Sequence, residues 1–557
     1  MQLARFARSD IAPLVVLAAG ILGGGLAMLL AGRGLTFYYD EWSYVVGRAG
    51  HAPSVFLEPH NEHPSIFPVA IYKLLFDTVG LAHYWVYRFV HILLMELLAV
   101  LVYLYGRPRI GRWWALFPAM ALVIVGGEPE YVLWPFELSF SLSLIGAVGA
   151  ALAFDRGTRR WDVAVVGLWL VSLFSSGVGI TLFVAFVLEV ILRGDRRRRA
   201  WVVAAPALLY ALWWIPYHAG HYPLSNVQHM PGYVEGEYTA GTQALTTLSA
   251  LNAPLAAALV GVTLVAALGV AGRRPRFWFI VGAPVTFWCA TALVRYGISD
   301  PDVQRYAYPS AVLIALVACE LGAGRMHVPV SARAAIVAGL ALVALVVNNI
   351  GLLHTRPNGL ADFSHILRPE IGALELARGH VAPDFVLDAN RAPDIVAGRY
   401  FAARDRYPGG SPGDSPDQIA RATPDARVAA DAALFRALQI GVTPAAPPAT
   451  GLVRPQATPV GDGAVSNAGA GCVRFEPHGP NVSVVVAVPG STLYVDNRQS
   501  GAPVTVSARR FADTFSALGT VDTHGAGALS FPTLAITAHP LIAAMTSVRP
   551  FRICTSR

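Results

Sequence analysis

Charged side chains are scarce in this chain. Asp, Glu, Lys and Arg make up 14% of 557 residues, against roughly 25% in a soluble domain. With 55% hydrophobic residues and a mean hydropathy of +0.50, that scarcity excludes an ordinary soluble globular protein and leaves a polytopic membrane protein. Tryptophan is absent after Trp288, although there are twelve before that point or at it. The C-terminal part therefore has no indole to stack on a sugar ring, and from residue 456 onward its one tyrosine is Tyr494. No internal repeat of two halves is visible, which argues against the common transporter design. Cysteine is rare, with four.

The net charge of +7 does not point to nucleic acid, because the arginines fall in short loops between apolar runs, where they report topology. The loops GRPRIGR (106–112), DRGTRR (155–160), GDRRRR (194–199), GRRPR (272–276) and the stretch around Arg325 and Arg333 are basic. Ile11 to Ala31 is an uncharged run of about the 20 residues a crossing helix needs. It is longer than a signal-peptide core, so Arg5 and Arg8 are expected to hold a retained helix with its N-terminus inside. Placing the basic loops in the cytoplasm predicts about eleven helices, roughly 11–31, 84–105, 113–126, 137–154, 161–174, 177–193, 200–217, 248–271, 277–294, 306–323 and 332–354, within a membrane domain of residues 1–355. The remainder then lies outside. Residues 356–455 read as helix and linker, with ARVAADAALFRALQIG (426–441) amphipathic and the Pro-rich 442–460 a linker. Residues 456–557 carry short β-rich runs between turn residues, the pattern of an antiparallel β-sandwich. Cys289 and Cys319 fall in predicted helices as small apolar residues, whereas Cys472 and Cys554 bracket the last domain on an oxidising side, where they are expected to pair.

Sorted by side, most polar residues are outside. FYYDEWSYV (37–45) places Asp40 and Glu41 among five aromatic residues directly after the first helix. Amphipathic rings settle at lipid headgroups, but acids do not. The same outer loop carries Glu58 and PHNEHP, with His60, Asn61, Glu62 and His63. GGEPEYVLWPFE supplies Glu128, Glu130 and Glu137, a later loop His218, His221, His229, Glu235 and Glu237, and another Arg295, Asp300, Asp302 and Arg305. IFPVAIYKLLFDTVG (66–80), broken by Lys73 and Asp77, reads as an interfacial helix. Such convergence suits chemistry between a lipid-linked substrate and an aqueous one.

Three features resemble the GT-C superfamily of polyprenyl-phosphate-dependent glycosyltransferases: YYDEW opening a large first outer loop, YWVYRFVHILL as the second helix, and QRYAYP (304–309) opening a late helix. The β-rich tail is similar to that of actinobacterial arabinofuranosyltransferases and mannosyltransferases of cell-wall biogenesis. The resemblance implies a polytopic α-helical enzyme of the bacterial cell membrane, with its active site and C-terminal domain outside the cytoplasm. It would move a sugar from a polyprenyl monophosphate to a glycan or lipid acceptor in one inverting displacement. No cofactor or metal site is assigned, and a divalent cation is left open.

By the same resemblance Asp40 is the base that draws off the acceptor proton, while Glu41 orients the acceptor or binds a cation. His60, Glu62 and His63 form an acceptor or metal shell, and Glu128 and Glu130 contact sugar hydroxyls. Arg88 and His91, one helical turn apart, hold the donor phosphate, as do Arg295 and Arg305, the latter with Tyr306 in the late motif. His218 and His221 line either the donor groove or an ordinary loop. Glu96, deeper in the helix of Arg88, is costly unless paired and is expected to find its partner on a neighbouring helix. Each acid or histidine also has a plain reading as a solvated loop residue, and each arginine as one reaching to headgroups. A transporter or wall-binding protein without glycosyl transfer is the rival class.

Overall fold

Runs of Leu, Val, Ile and Ala with little charge have one way to satisfy their backbone in lipid, which is to hydrogen-bond it within a helix. The computed structural model describes residues 11–48, 50–217, 224–247, 252–269, 271–324, 332–480, 482–488, 490–534 and 539–556, and the described apolar runs before residue 356 follow that rule. The helices used below are α1 (Ala12–Ala31), α2 (Ile66–Thr78), α3 (Tyr84–Ile110), α4 (Leu116–Val123), α5 (Leu138–Phe154), α6 (Arg159–Leu173), α7 (Val178–Leu192), α8 (Trp201–Tyr217), α9 (Met230–Thr246), α10 (Asn252–Leu268), α11 (Pro275–Arg295), α12 (Gln304–Leu321) and α13 (Ala332–Thr355). Among the described residues six are long and apolar enough to cross a membrane: α1, α3, α5 with its Pro135 turn, α8 with the turn from Arg196, α11, and α13 from Ile336. Exposed side chains such as Leu22, Leu264 and Val343 are what a bilayer would cover.

The other five expected spans are shorter or more polar. They hold α4, α6, α7, α10 and α12, of 8, 15, 15, 17 and 18 residues. The run 113–126 in particular is cut down to α4, because the chain turns extended at Ile124 and then passes Gly126 against the backbone of α13. A Cβ at Gly126 would overlap the Asn349 carbonyl, and the Gly126 N–H donates to Asn349 Oδ1 at 2.8 Å. In α2 one face is buried, through Val69, Tyr72, Leu75 and Phe76. Lys73, expected at an interface, is buried with them, at 3% exposed.

Several of the basic loop residues do more than mark topology. Arg276 at the start of α11 meets Glu189 of α7 at 2.9 Å and Asp155 after α5 at 2.9 Å. Arg193 reaches the same Glu189 at 2.6 Å. Arg109 of α3 joins Asp155 at 3.1 Å and Glu320 of α12 at 2.8 Å, and Arg274 adds a second cation to Glu320 at 3.1 Å. Arg199 pairs with buried Asp162 of α6. Glu189 is fully buried, so its charge is stable there only with those guanidinium partners.

The chain divides into two compact units, one of Met1–Arg33, Gly50–Leu75 and Trp85–Leu360, the other of Gly34–Ala49, Phe76–Tyr84 and Ala361–Arg557. Two pieces of the loop between α1 and α3 thus cluster with the C-terminal residues. The second unit contains α14 (Gly359–Leu376, from Ala361), the hairpin β1 (Val386–Asp388) and β2 (Ala392–Val396), α15 (Ala397–Arg406) and α16 (Pro424–Ala437). Further strands are β3 (Thr443–Pro444), β4 (Leu452–Val453), β5 (Ala457–Val460), β6 (Gly463–Asn467), β7 (Cys472–Pro477), β8 (Ser483–Ala487), β9 (Thr492–Asp496), β10 (Val504–Arg509), β11 (Ser516–Val521), β12 (Ala526–Ser530), β13 (Ile542–Thr546) and β14 (Phe551–Ser556). They form two antiparallel sheets, ordered β11-β10-β13-β8-β5 and β3-β12-β9-β14-β7-β6, with β4 also on β14. Alternating burial along β8 and β10 shows one face turned inward.

The Pro-rich stretch expected as a linker supplies β3, β4 and β5. Pro444 and Pro459 sit in strands at sheet edges, where a missing N–H costs no ladder bond. Cys472 and Cys554 stand directly opposite on β7 and β14 and are joined as a disulfide. Cys289 and Cys319 are free thiols within helices. Asp431 ties α16 to the β-rich part, its carboxylate accepting the backbone N–H of Arg510, Phe511 and Ala512 at 2.9–3.0 Å.

Arg276→Met removes one of the two guanidinium partners of buried Glu189, leaving Arg193, and is expected to cost up to ~3–5 kcal/mol, read as a lower melting temperature in detergent. The double variant with Glu189→Gln regains part of that loss. Equal melting of Arg276→Met and wild type would show that the cluster carries no stability.

Candidate functional site

The acidic turn is built by its own aromatic residues, within the second unit. Phe37, Trp42 and Tyr44 are buried, at 0%, 0% and 1% exposed, so they are core and not the headgroup belt that their position after α1 allows. The Trp42 indole N–H donates to the Phe37 carbonyl at 3.0 Å. Trp42 faces Tyr400 at 6.3 Å and Phe37 faces Tyr84 at 4.8 Å between centroids. Glu41, fully buried, accepts from the Tyr38 N–H and from the Tyr84 hydroxyl, both at 2.8 Å, and so pins the turn. Tyr39 enters that turn at φ 35, a conformation side chains rarely take and which the pinned neighbours hold in place. Asp40 begins the helical turn Asp40–Trp42 and is half-buried, while its carbonyl accepts from the Ser43 hydroxyl at 2.7 Å. The two adjacent acids therefore differ in kind: Glu41 is an internal tie, and Asp40 keeps access to solvent.

In the first unit PHNEHP folds into a tight hairpin. His60 and His63 exchange backbone hydrogen bonds at 2.9 and 3.0 Å, and Asn61 and Glu62 between them take φ of 46 and 72. Positive φ at both central residues is the geometry of a primed turn, and it leaves Glu62 exposed. Directly paired residues share a face, so the two imidazoles lie side by side. His60 packs on Phe136, with centroids 5.2 Å apart, and His63 packs on Gly177, where a Cβ would come within 2.6 Å of the ring. Burial, then the positive charge of Arg295, then His60 push the His63 pKa down to about 4. A cation at this pair would meet the repulsion of Arg295, and an anion would meet attraction.

Arg305 lies in the first turn of α12, over the Trp134 ring at 5.3 Å, with its Nε 3.3 Å from buried Glu137. Tyr306 beside it is buried and stacks on Phe140 at 6.2 Å. The Glu130 N–H donates to Gln304 at 2.8 Å, and burial raises the Glu130 carboxyl against the opposing pull of Arg305. Glu128, one residue before Pro129, is pushed up to about 8 by burial, opposed by Arg356 and assisted by Asp302 and Glu130. The loops of Glu130 and Arg305 are thus brought together, as are those of His63 and Arg295.

Arg88 and His91 have partners within the protein. The Arg88 guanidinium donates to the carbonyls of Met28 and Leu29 at the end of α1, and Gly32 leaves it the room to do so. Cationic capping of a helix C-terminus is a structural task. His91 is buried, its Nε2 2.9 Å from the Tyr131 carbonyl oxygen. His218 and His221 lie outside the described residues. Among the described residues no group of three or more His, Cys, Asp or Glu side chains is gathered to hold a metal ion. Reading the sequence alone missed the roles of Trp134 and Glu137 around Arg305, and of Thr239, Gln243 and Arg356 beside Glu128. The four-residue spacing Glu235, Thr239, Gln243 was the available signal for one helix face.

No protein-family model matches this chain, and no curated protein is significantly similar to it in sequence.

A histidine with a depressed pKa favours the neutral form on folding. Stability is therefore complete above about 6.5 and falls as pH drops toward about 4, where the unfolded chain binds the proton and the folded one resists it. His63→Asn is expected to flatten the loss of melting temperature across this window relative to wild type. Parallel curves would refute the assignment.

Proposed function

We propose that this protein is an integral membrane glycosyltransferase of the GT-C kind, taking a sugar from a polyprenyl monophosphate on the non-cytoplasmic side. The observation that supports it most is the division of labour in the acidic turn, where buried Glu41 ties the backbone down and Asp40 is held at its start, half-buried. A base needs a fixed position and access to substrate, and a half-buried carboxylate at the start of a pinned turn is compatible with both. In the reaction the acceptor oxygen bonds to the anomeric carbon from the face opposite the phosphate, and the C–O bond to phosphate breaks. The electron pair leaves with the phosphate, and the hydroxyl proton passes to Asp40. The leaving phosphate is an anion, which a guanidinium stabilises best. Glu41 acts as a positioning residue, and Arg88 and His91 act through the structure of α1 and α3. The acceptor is a glycan or lipid at the outer face of a bacterial cell membrane, and no step calls for a metal ion.

The test uses the full chain in lipid nanodiscs with labelled polyprenyl-phosphate sugars and a glycan acceptor. Asp40→Asn is expected to lower turnover by about 10²–10⁴-fold with an unchanged melting temperature. Glu41→Gln lowers the melting temperature as well. Retained turnover in Asp40→Asn removes it as base, and no transfer from any donor, with solute flux in vesicles, replaces the enzyme by a transporter.

A further inference from the structure

One cavity in the first unit holds none of the groups given a catalytic role above. It measures about 820 Å³, within the roughly 300–1,000 Å³ of small-molecule sites. Its longest wall is a single face of α9, where Glu235, Thr239 and Gln243 follow one another at four-residue spacing, and a parallel row of Gly232, Gly236 and Ala240 leaves the space open. The opposite wall comes from the loops after α4 and α11, with Glu128, Asp302 and Gln304, and Arg356 closes one side.

The lining selects by chemistry. Among the described residues it has no aromatic or long aliphatic side chain, and so offers little to a prenyl tail or a stacked base. Its four carboxylic acids against one guanidinium disfavour a phosphate. A bare metal ion lacks a gathered ligand set among the described residues. What remains is an alternation of acceptors and donors: carboxylates, amides, a hydroxyl and a guanidinium. Hydroxyl groups, each both donor and acceptor, match that alternation. We propose that this cavity is a binding site for an uncharged polyhydroxyl ligand, a glycan segment. The assignment of that segment as the acceptor rests on the glycosyltransferase reading. Glu128, whose carboxyl is held protonated near neutral pH by burial, adds a donor to the set.

The experiment uses the full chain in nanodiscs without lipid donor and reads saturation-transfer NMR from uncharged mannan, galactan and arabinan tetrasaccharides, with mannose 6-phosphate and spermidine as charged comparisons. At least one tetrasaccharide is expected to bind. Ala240→Trp fills the cavity and abolishes binding, and Glu235→Gln with Asp302→Asn weakens it more than about tenfold, as for lost hydrogen bonds, at wild-type melting temperature. The site is refuted by binding of spermidine or mannose 6-phosphate alone, by no binding at all, or by tetrasaccharide binding that survives either variant. A protein that binds the tetrasaccharide yet never transfers sugar refutes the enzyme and leaves the cavity assigned. Transfer with an unchanged acceptor KM in Ala240→Trp does the reverse.

Discussion

The helical unit depends on a shared set of charges at one end of its bundle. Arg276, Arg193, Arg109 and Arg274 are distributed around Glu189, Asp155 and Glu320, so that α3, α5, α7, α11 and α12 are joined through their ends and not only through apolar packing. Helices in lipid gain little from hydrophobic contact with each other, because lipid tails are equally apolar. Polar contacts can therefore specify which helix lies beside which. A carboxylate such as Glu189, with no exposed surface, tolerates only a neighbour that brings a cation. The network thereby fixes partners for the elements that carry Trp134, Glu137, Arg295 and Arg305 at their other ends.

Both candidate regions use the same device. At Tyr39, and again at Asn61 and Glu62, the backbone takes positive φ in residues other than glycine. Each departure is held by buried or paired neighbours: the Glu41 tie in one case, the His60–His63 backbone pair in the other. Strain of this sort persists only where surroundings over-determine it. It places Asp40 at the start of its turn and pairs His60 with His63 through the backbone. Arg305 is fixed differently, by a ring beneath it and a buried carboxylate beside it, which orients a guanidinium without enclosing it.

Much of this was legible in the order of residues. Low charge and long apolar runs announced the helices, Cys472 and Cys554 announced their pairing, and short β-rich runs between turn residues after residue 456 announced the strands. Local rules failed where a residue's meaning lay in a distant partner. The aromatic residues of FYYDEWSYV read as a headgroup belt, yet three of them are core, because residues from Phe76 to Tyr84 and from Phe363 to Tyr400 come to cover the turn. Arg88 reads as a phosphate ligand or a side chain reaching to headgroups by its place on α3, and nothing local announces that its guanidinium reaches the carbonyls at the end of α1. The prolines of 442–460 read as a linker, since nothing local tells an edge strand from a free one.

Composition and periodicity alone determined that this chain has membrane-type helices followed by an antiparallel β-rich part, because burial of apolar surface and internal pairing of the backbone are demands each segment meets by itself. Tertiary structure decided which acid of the Asp40–Glu41 pair is a tie and which has access, which arginines are spent on carboxylates, and that α9 and two separate loops enclose a polar cavity. Charge pairing and cavity formation act between residues tens or hundreds of positions apart, and no local pattern encodes them.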